Sequence, residues 1–147
     1  MSSTRLKVSR ALTAPACDSY RIVTEIERFP EFMDNVTSVK ILTAQDNRKV
    51  IAWELMIDDA PLDWVEEVCY DEQLLRADFC AIDGVFKRFD GHWQVFPATN
   101  GSRVEVQLEY ELGLPEIEDI IGPILKSRLT ANLEAMLACI ESRRCCR

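Results

Sequence analysis

The chain has 147 residues, of which 48% are hydrophobic and 29% are charged. This length fits a single domain spanning 1–147, and the apolar content excludes a disordered or low-complexity chain. With 17 basic against 25 acidic side chains, the net charge of −8 disfavours binding to nucleic-acid backbones and to anionic lipid surfaces.

No secretory signal and no membrane-spanning segment are expected. Residues 1–15 lack the apolar core of a signal peptide, and uninterrupted apolar runs are only a few residues long. We therefore expect a cytoplasmic protein without stable membrane insertion, whose six cysteines are free thiols. They form no C-x-x-C pair, so no zinc site is expected. The adjacent Cys145 and Cys146 have two interpretations. They are part of a frayed terminal tail, or they form a redox-active or metal-binding pair.

The first part of the chain predicts one strand followed by two short helices. Residues 4–12 alternate apolar and polar side chains, as a strand does. Pro15 suits the first turn of a helix over 15–26. A second short helix is predicted over 28–33, where Pro30 interrupts the helix and changes its direction.

From residue 36 onward the hydrophobic period changes to two, which predicts six further strands joined mostly by hairpins. The predicted strands are 36–45, 48–58, 62–70, 74–82, 85–96 and 103–112. Turn-forming sequences separate them, among them Asp58-Asp59-Ala60-Pro61 and Asn100-Gly101. The last strand alternates most regularly, which predicts one buried face and one face in water.

A long amphipathic helix is predicted to end the chain, because apolar residues recur there every three or four positions. These residues are Ile117, Ile120, Ile121, Ile124, Leu129, Leu133, Met136, Leu137 and Ile140. Pro123 marks either a kink or the true first turn of this helix. From Pro123 to Arg143 the helix would span roughly 30 Å.

A seven-stranded curved antiparallel sheet with one apolar face needs a cover, which the long last helix can supply. One helix cannot fill the hollow of a strongly curved sheet, so we expect an internal apolar cavity that binds a hydrophobic small molecule. Its predicted ligand-binding wall consists of Phe32, Trp53, Trp64, Phe79, Phe89, Trp93, Leu108, Leu129, Leu133 and Met136. Aromatic walls stack well on a planar polycycle or quinone, although ordinary core packing is the alternative for each of these side chains.

Glu66 is the main candidate for proton transfer. Alternation places it on the inward face of its strand with Trp64, where burial would raise the pKa of its carboxyl. A β-bulge would instead leave Glu66 in solvent. Tyr70 and Tyr110 are further catalytic candidates. The single histidine, His92, is predicted to point to solvent, because its aromatic neighbours occupy the inward positions of that strand.

Four segments carry motifs that can be compared with known families. They are Ala14-Pro15 at the start of the first helix, Ile26–Phe32 with its Phe-Pro-Glu-Phe element, Asp83–Trp93 with its Gly…Trp hairpin, and Asn132–Leu137. Together with the order of elements, they resemble the helix-grip fold of the START-like (SRPBCC) superfamily, which includes the birch-pollen allergen. The second and third segments resemble its polyketide cyclase/dehydrase and coenzyme-Q-binding branch.

The resemblance implies an α+β helix-grip domain that acts as a polyketide cyclase or aromatase. Such a protein binds a hydrophobic polyketide or aromatic molecule, delivered by an acyl carrier protein, and promotes its aldol cyclisation and dehydration. Aromatase/cyclase members carry the motif W-T-S-R-R-x-x-D on the fourth strand. This chain keeps the Trp and the Asp of that motif as Trp64 and Asp71 but has neither arginine.

Two other functions therefore stay open. One is a non-catalytic carrier of a quinone, sterol or lipid, as in the coenzyme-Q-binding branch. The other is an interaction module like the ribosome-associated members of that branch, which the acidic charge disfavours. No cofactor is expected. A nucleotide cofactor in particular is disfavoured, because the chain contains neither a G-x-G-x-x-G nor a Walker pattern. The oligomeric state is expected to be monomer or homodimer.

Overall fold

The computed structural model describes residues 3–57, 60–113 and 115–145. The elements in chain order are β1 (Thr4–Leu12), α1 (Ala16–Thr24), a 3-10 helix (Ile26–Arg28), α2 (Phe29–Phe32), β2 (Val36–Gln45), β3 (Arg48–Ile57), β4 (Ala60–Asp71), β5 (Arg76–Gly84), β6 (Arg88–Ala98), β7 (Gly101–Glu111) and α3 (Pro115–Cys145). Two predictions fall outside the described residues. The turn after β3 depends on Asp58 and Asp59, and the adjacent thiols depend on Cys146 and on the side chain of Cys145.

All seven strands form one antiparallel sheet in the order β1-β7-β6-β5-β4-β3-β2. Strands β2 to β7 follow each other as hairpins, whereas β1 pairs with β7, where Leu6 lies opposite Leu108. The segment from α1 to α2 carries the chain from one edge of the sheet to the other. The predicted fold class, a helix-grip domain with a curved sheet, two short helices after the first strand and a long last helix, is confirmed.

The alternation predicted for the last strand separates the two faces of the sheet. Val104 and Val106 are almost fully buried on the inner face, which α3 covers. On the outer face, Glu105 forms ion pairs with Arg103 at 3.0 Å and with Lys7 on β1 at 3.4 Å. The inner face therefore supplies the core, and a network of paired charges covers the outer face.

Helix α3 is longer than predicted and covers the sheet mainly with its C-terminal half. It has 31 residues, which corresponds to roughly 46 Å. Pro123 lies inside it and is therefore not in its first turn. Leu137 and Ile140 are fully buried against the core, whereas Ile120 is 73% exposed and Ile124 is 59% exposed. Among the described side chains of α3, these two pairs of apolar residues thus differ strongly in burial.

Candidate functional site

A small cavity lies between the inner face of the sheet and α3. Its volume is about 50 Å³. The lining consists of Trp53, Leu55, Trp64, Glu66, Phe79, Phe89, Trp93, Val106, Leu108, Leu129, Asn132, Leu133 and Met136. Strands β3 to β7 supply the first nine of these side chains and α3 supplies the last four, so the cavity is enclosed by both layers of the fold.

Among the described residues, every predicted wall residue except Phe32 contributes to this lining. Phe32 instead packs edge-on against Phe29, with ring centroids 5.8 Å apart. The prediction missed Leu55, Val106 and Asn132. For the two aliphatic residues the signal was available, because both occupy inward positions in the period of two. A single polar residue on a helix carries no comparable signal.

The cavity is much smaller than expected, because aromatic side chains occupy most of the space. Trp53 and Trp64 lie directly opposite each other on β3 and β4 and stack with ring centroids 5.8 Å apart and an interplanar angle of 11°. Phe89 packs on Trp64 at 4.8 Å and on Phe79 at 6.0 Å. A cavity of about 150 Å³ accepts one benzene molecule in a protein core. A ring-sized ligand therefore needs this wall or α3 to move.

Glu66 is the only ionisable side chain among the described lining residues. It is 5% exposed, and its Oε1 accepts a hydrogen bond from Trp64 Nε1 at 2.9 Å. Burial raises the pKa of Glu66 to about 7, although the indole N–H groups of Trp64 and Trp53 act in the opposite direction. The Trp53 N–H lies close enough to lower this pKa but does not meet hydrogen-bond geometry.

A β-bulge does occur beside Glu66, but it leaves the side chain pointing inward. Along β4, Val65 lies opposite Asp83 and Glu66 lies opposite Ala81, so the additional residue is Ile82 on β5. The strand that carries the extra residue bends, while the partner strand keeps its alternation. Glu66 therefore stays on the inner face, and the exposed Ile82 absorbs the irregularity.

Tyr70 and Tyr110 are not brought together with Glu66 in the cavity lining. Tyr70 is half-buried farther along β4, with the Lys49 ammonium 5.3 Å from its ring centroid. Burial and the charge of Glu66 raise the pKa of the Tyr70 phenol. Tyr110 is buried near the end of β7, with its ring 5.9 Å from that of Phe86. Neither tyrosine is among the residues that line the cavity.

A separate groove of about 740 Å³ lies elsewhere on the described surface. Its lining consists of Tyr20, Arg21, Thr24, Glu25, Glu27, Asp46, Asn47, Lys49, Tyr70, Asp71, Glu72 and Gln73. This groove is open, polar and mainly acidic. Sites for lipophilic molecules are mostly apolar and enclosed. We therefore place the candidate site in the smaller cavity.

His92 lies on the outer face of the sheet, as predicted, but its side chain is only 14% exposed, and it is not among the residues that line the cavity. Its Nδ1 is 3.2 Å from Arg76 Nη2, and its Nε2 is 4.0 Å from Glu105 Oε2. Burial and the charge of Arg76 lower its pKa. Since the arginine can only donate, Nδ1 accepts this hydrogen bond and the ring is neutral.

Within residues 3–57, 60–113 and 115–145, no group of three or more His, Cys, Asp or Glu side chains has the arrangement needed to hold a metal ion. No helix in the same part of the chain is long and apolar enough to cross a membrane.

The fold and the apolar cavity define a helix-grip protein of the START-like superfamily. The chain belongs to the family described as polyketide cyclase/dehydrase and lipid transport, whose sequence pattern matches residues 12–137. It is 24% identical over 132 residues to the persistence and stress-resistance toxin PasT of Escherichia coli O6:H1 (strain CFT073), which covers 86% of this chain and 81% of PasT.

Solved structures show the same architecture. TTHA0849 from Thermus thermophilus superimposes with a TM-score of 0.89 and 26% identity, covering 95% of this chain and 96% of that one. The Zhui aromatase/cyclase from Streptomyces sp. R1128 superimposes with a TM-score of 0.81 and 13% identity, covering 96% and 95%. At 13% identity the second likeness shows the fold alone.

Proposed function

We propose that this protein binds a lipophilic molecule with ketone oxygens between the sheet and α3, and that Glu66 moves protons on it. The observation that carries the proposal is the carboxyl of Glu66, which is buried in an apolar wall and has a pKa raised to about 7. Near neutral pH such a carboxyl exists in both protonation states. A group that acts in turn as base and acid needs this property.

The reaction that fits this group is aldol cyclisation followed by loss of water. The Glu66 carboxylate takes a proton from a carbon next to a ketone, and the enolate carbon forms a bond to a second ketone carbon of the same molecule. The carboxylic acid then returns its proton to the alkoxide oxygen. In the dehydration, the carboxylate takes another proton from the carbon next to the remaining ketone. Hydroxide leaves and combines with that proton as water, while a carbon–carbon double bond forms.

The walls of the cavity would supply the positioning. Intramolecular cyclisation needs the two reacting carbons held in contact, and a shaped apolar cavity achieves this without charged groups. The aromatic lining residues Trp53 and Trp64 suit a chain that becomes an aromatic ring. Membership of the polyketide cyclase/dehydrase and lipid transport family supports this type of ligand.

Ligand entry requires the cavity to widen beyond its about 50 Å³. The N-terminal half of α3 is the element best suited to move, because Ile120 and Ile124 leave their apolar side chains in solvent. The C-terminal half is held by the fully buried Leu137 and Ile140. Outward movement of the first half would open the cavity beside Leu129 while the second half keeps the fold together.

The test uses heptane-2,4,6-trione, a linear triketone whose aldol closure and dehydration give orcinol and one water molecule. We expect the protein to accelerate orcinol formation and Glu66→Gln to lower kcat by about 100-fold or more with little change in KM. Glu67→Gln is the matched control, because Glu67 follows on the same strand, points outward and pairs with Arg48 at 3.3 Å. Equal turnover by the Glu66→Gln variant would contradict the role of Glu66.

A carrier without catalysis is the second candidate, and the lining supports it, because Glu66 is its only ionisable group among the described residues. The chain has three tryptophans, and all of them line the cavity, so their fluorescence reports on its occupancy. Quenching by 1,4-naphthoquinone without any turnover of the triketone would favour the carrier. Absence of both quenching and turnover would refute a ligand site in this cavity.

A further inference from the structure

Asn132 is the second polar side chain of the cavity lining, and it enters from α3 rather than from the sheet. We propose that its amide N–H donates a hydrogen bond to a ketone or quinone oxygen of the ligand, so that Asn132 selects oxygenated ligands over hydrocarbons. This inference rests on the ligand site proposed above. It adds the class of ligand, which is a flat lipophile with oxygen atoms at two positions.

The hydrogen bonds around Asn132 fix the direction of its amide. Asn35 Nδ2 donates a hydrogen bond to Asn132 Oδ1. The backbone oxygen of Asn35 in turn accepts the N–H of Met56 at 2.8 Å, which anchors this residue to β3. With its oxygen engaged in this way, Asn132 presents Nδ2 toward Met136, a residue that also lines the cavity.

The hydrogen-bond partner of the Asn132 side-chain N–H is a weak acceptor. Asn132 Nδ2 lies 3.6 Å from the thioether sulfur of Met136. A thioether is a poor acceptor, so this contact gives the half-buried amide only a weak hydrogen bond. A ketone oxygen is a much better acceptor. A ligand that places such an oxygen beside Asn132 replaces a poor hydrogen bond with a good one.

Glu66 and Asn132 lie on facing walls, one on β4 and the other on α3. When protonated, the Glu66 carboxyl can donate to one ligand oxygen, while Asn132 Nδ2 donates to another. The aromatic side chains of Trp53 and Trp64 belong to the same lining. A hydrocarbon of the same shape would leave both donors without an acceptor from the ligand, which costs affinity.

The test compares 1,4-naphthoquinone with naphthalene, which has the same fused-ring skeleton but no oxygen. Calorimetric titration gives the Kd of each ligand for the wild type, Asn132→Asp and Asn132→Leu. Asp keeps the shape of Asn and an oxygen for Asn35 but has no N–H group, and Leu removes all polar atoms. In both variants we expect the Kd of naphthoquinone to rise about tenfold and that of naphthalene to change less than about twofold.

Glu134→Gln serves as the control, because Glu134 is exposed on the same helix and should change neither Kd. Equal weakening of both ligands in the Asn132 variants would mean that Asn132 only shapes the cavity, and an unchanged Kd of naphthoquinone would mean that it donates no hydrogen bond to the ligand. Either result overturns the inference. If the wild type bound neither ligand, the ligand site itself would be refuted.

Discussion

Burial of Glu66 couples the stability of this protein to pH. In the folded chain the pKa of its carboxyl is about 7, against an ordinary value of 4.5. Between these pH values the folded state holds a proton that the unfolded state has released, so the free energy of unfolding falls as pH rises. The contribution of Glu66 to the free energy of unfolding is fully present below pH 4.5 and is lost progressively until the pH exceeds 7. Each pKa unit corresponds to about 1.4 kcal/mol, so the whole contribution amounts to about 3 kcal/mol.

Glu66→Gln removes this titration while keeping the shape of the side chain. Urea unfolding at about pH 5 and about pH 8 measures the change for each protein. Between these two pH values, the wild type is expected to lose roughly 2.5 kcal/mol more than the Glu66→Gln variant. The other titrating groups are shared and cancel in this difference. Glu67→Gln, on the outward side of the same strand, is expected to behave like the wild type.

An identical pH dependence in the wild type and Glu66→Gln would refute the reasoning. It would mean that the carboxyl titrates in the folded state as it does in the unfolded chain, and therefore that water reaches it. A wild type that becomes more stable relative to the variant as pH rises would also refute it, since this requires a lowered pKa. The proposed proton transfer by Glu66 depends on the same raised pKa, so this experiment tests its physical basis without any substrate.

Four further substitutions have defined expectations. Trp64→Phe removes the indole donor to Glu66 and should raise the pKa of that carboxyl further, as carbon-13 NMR titration can measure; a lower pKa would contradict the assigned hydrogen bond. Gly91→Ala should destabilise the fold by about 3 kcal/mol in urea unfolding, because the added Cβ would lie 1.9 Å from a backbone oxygen of β7. In Gly122→Ala, the added Cβ on α3 meets nothing within 4 Å, so this substitution should stabilise the fold by up to about 1 kcal/mol. Equal effects of the Gly91 and Gly122 substitutions would refute the close contact between Gly91 and β7. Leu137→Ala should cost about 3 kcal/mol, since Leu137 is fully buried, and a cost near zero would mean that α3 does not cover the core.

The order of elements and the inward faces of the strands could be predicted from the sequence alone. The placement of Trp64 and Glu66 toward the core follows from alternation along β4, and the structure has both side chains there. Side chains of a strand alternate because of the backbone geometry, so this information is local. The aromatic wall was predictable for the same reason.

Several features of the site depend on distances between residues far apart in the chain. Tyr70 shares its strand face with Glu66 but lies beyond the end of the cavity, where the groove begins. Asn132 acquires its direction from Asn35, 97 positions earlier in the sequence. Neither the position of Tyr70 nor the contact of Asn132 with Asn35 can be predicted from a local sequence pattern. Hydrophobic periodicity indicates which way a side chain points, but not which residues lie opposite it.

The spacing of apolar side chains in the sequence therefore predicts which residues of the strands face inward. How much room they leave was decided only when β3, β4 and α3 came together, since the stacked indole rings of Trp53 and Trp64 reduce the hollow to about 50 Å³. Free volume is the small difference between a large enclosed space and the large volume of the side chains that fill it. Such a difference depends on the packing of whole layers, which no single segment of the chain contains.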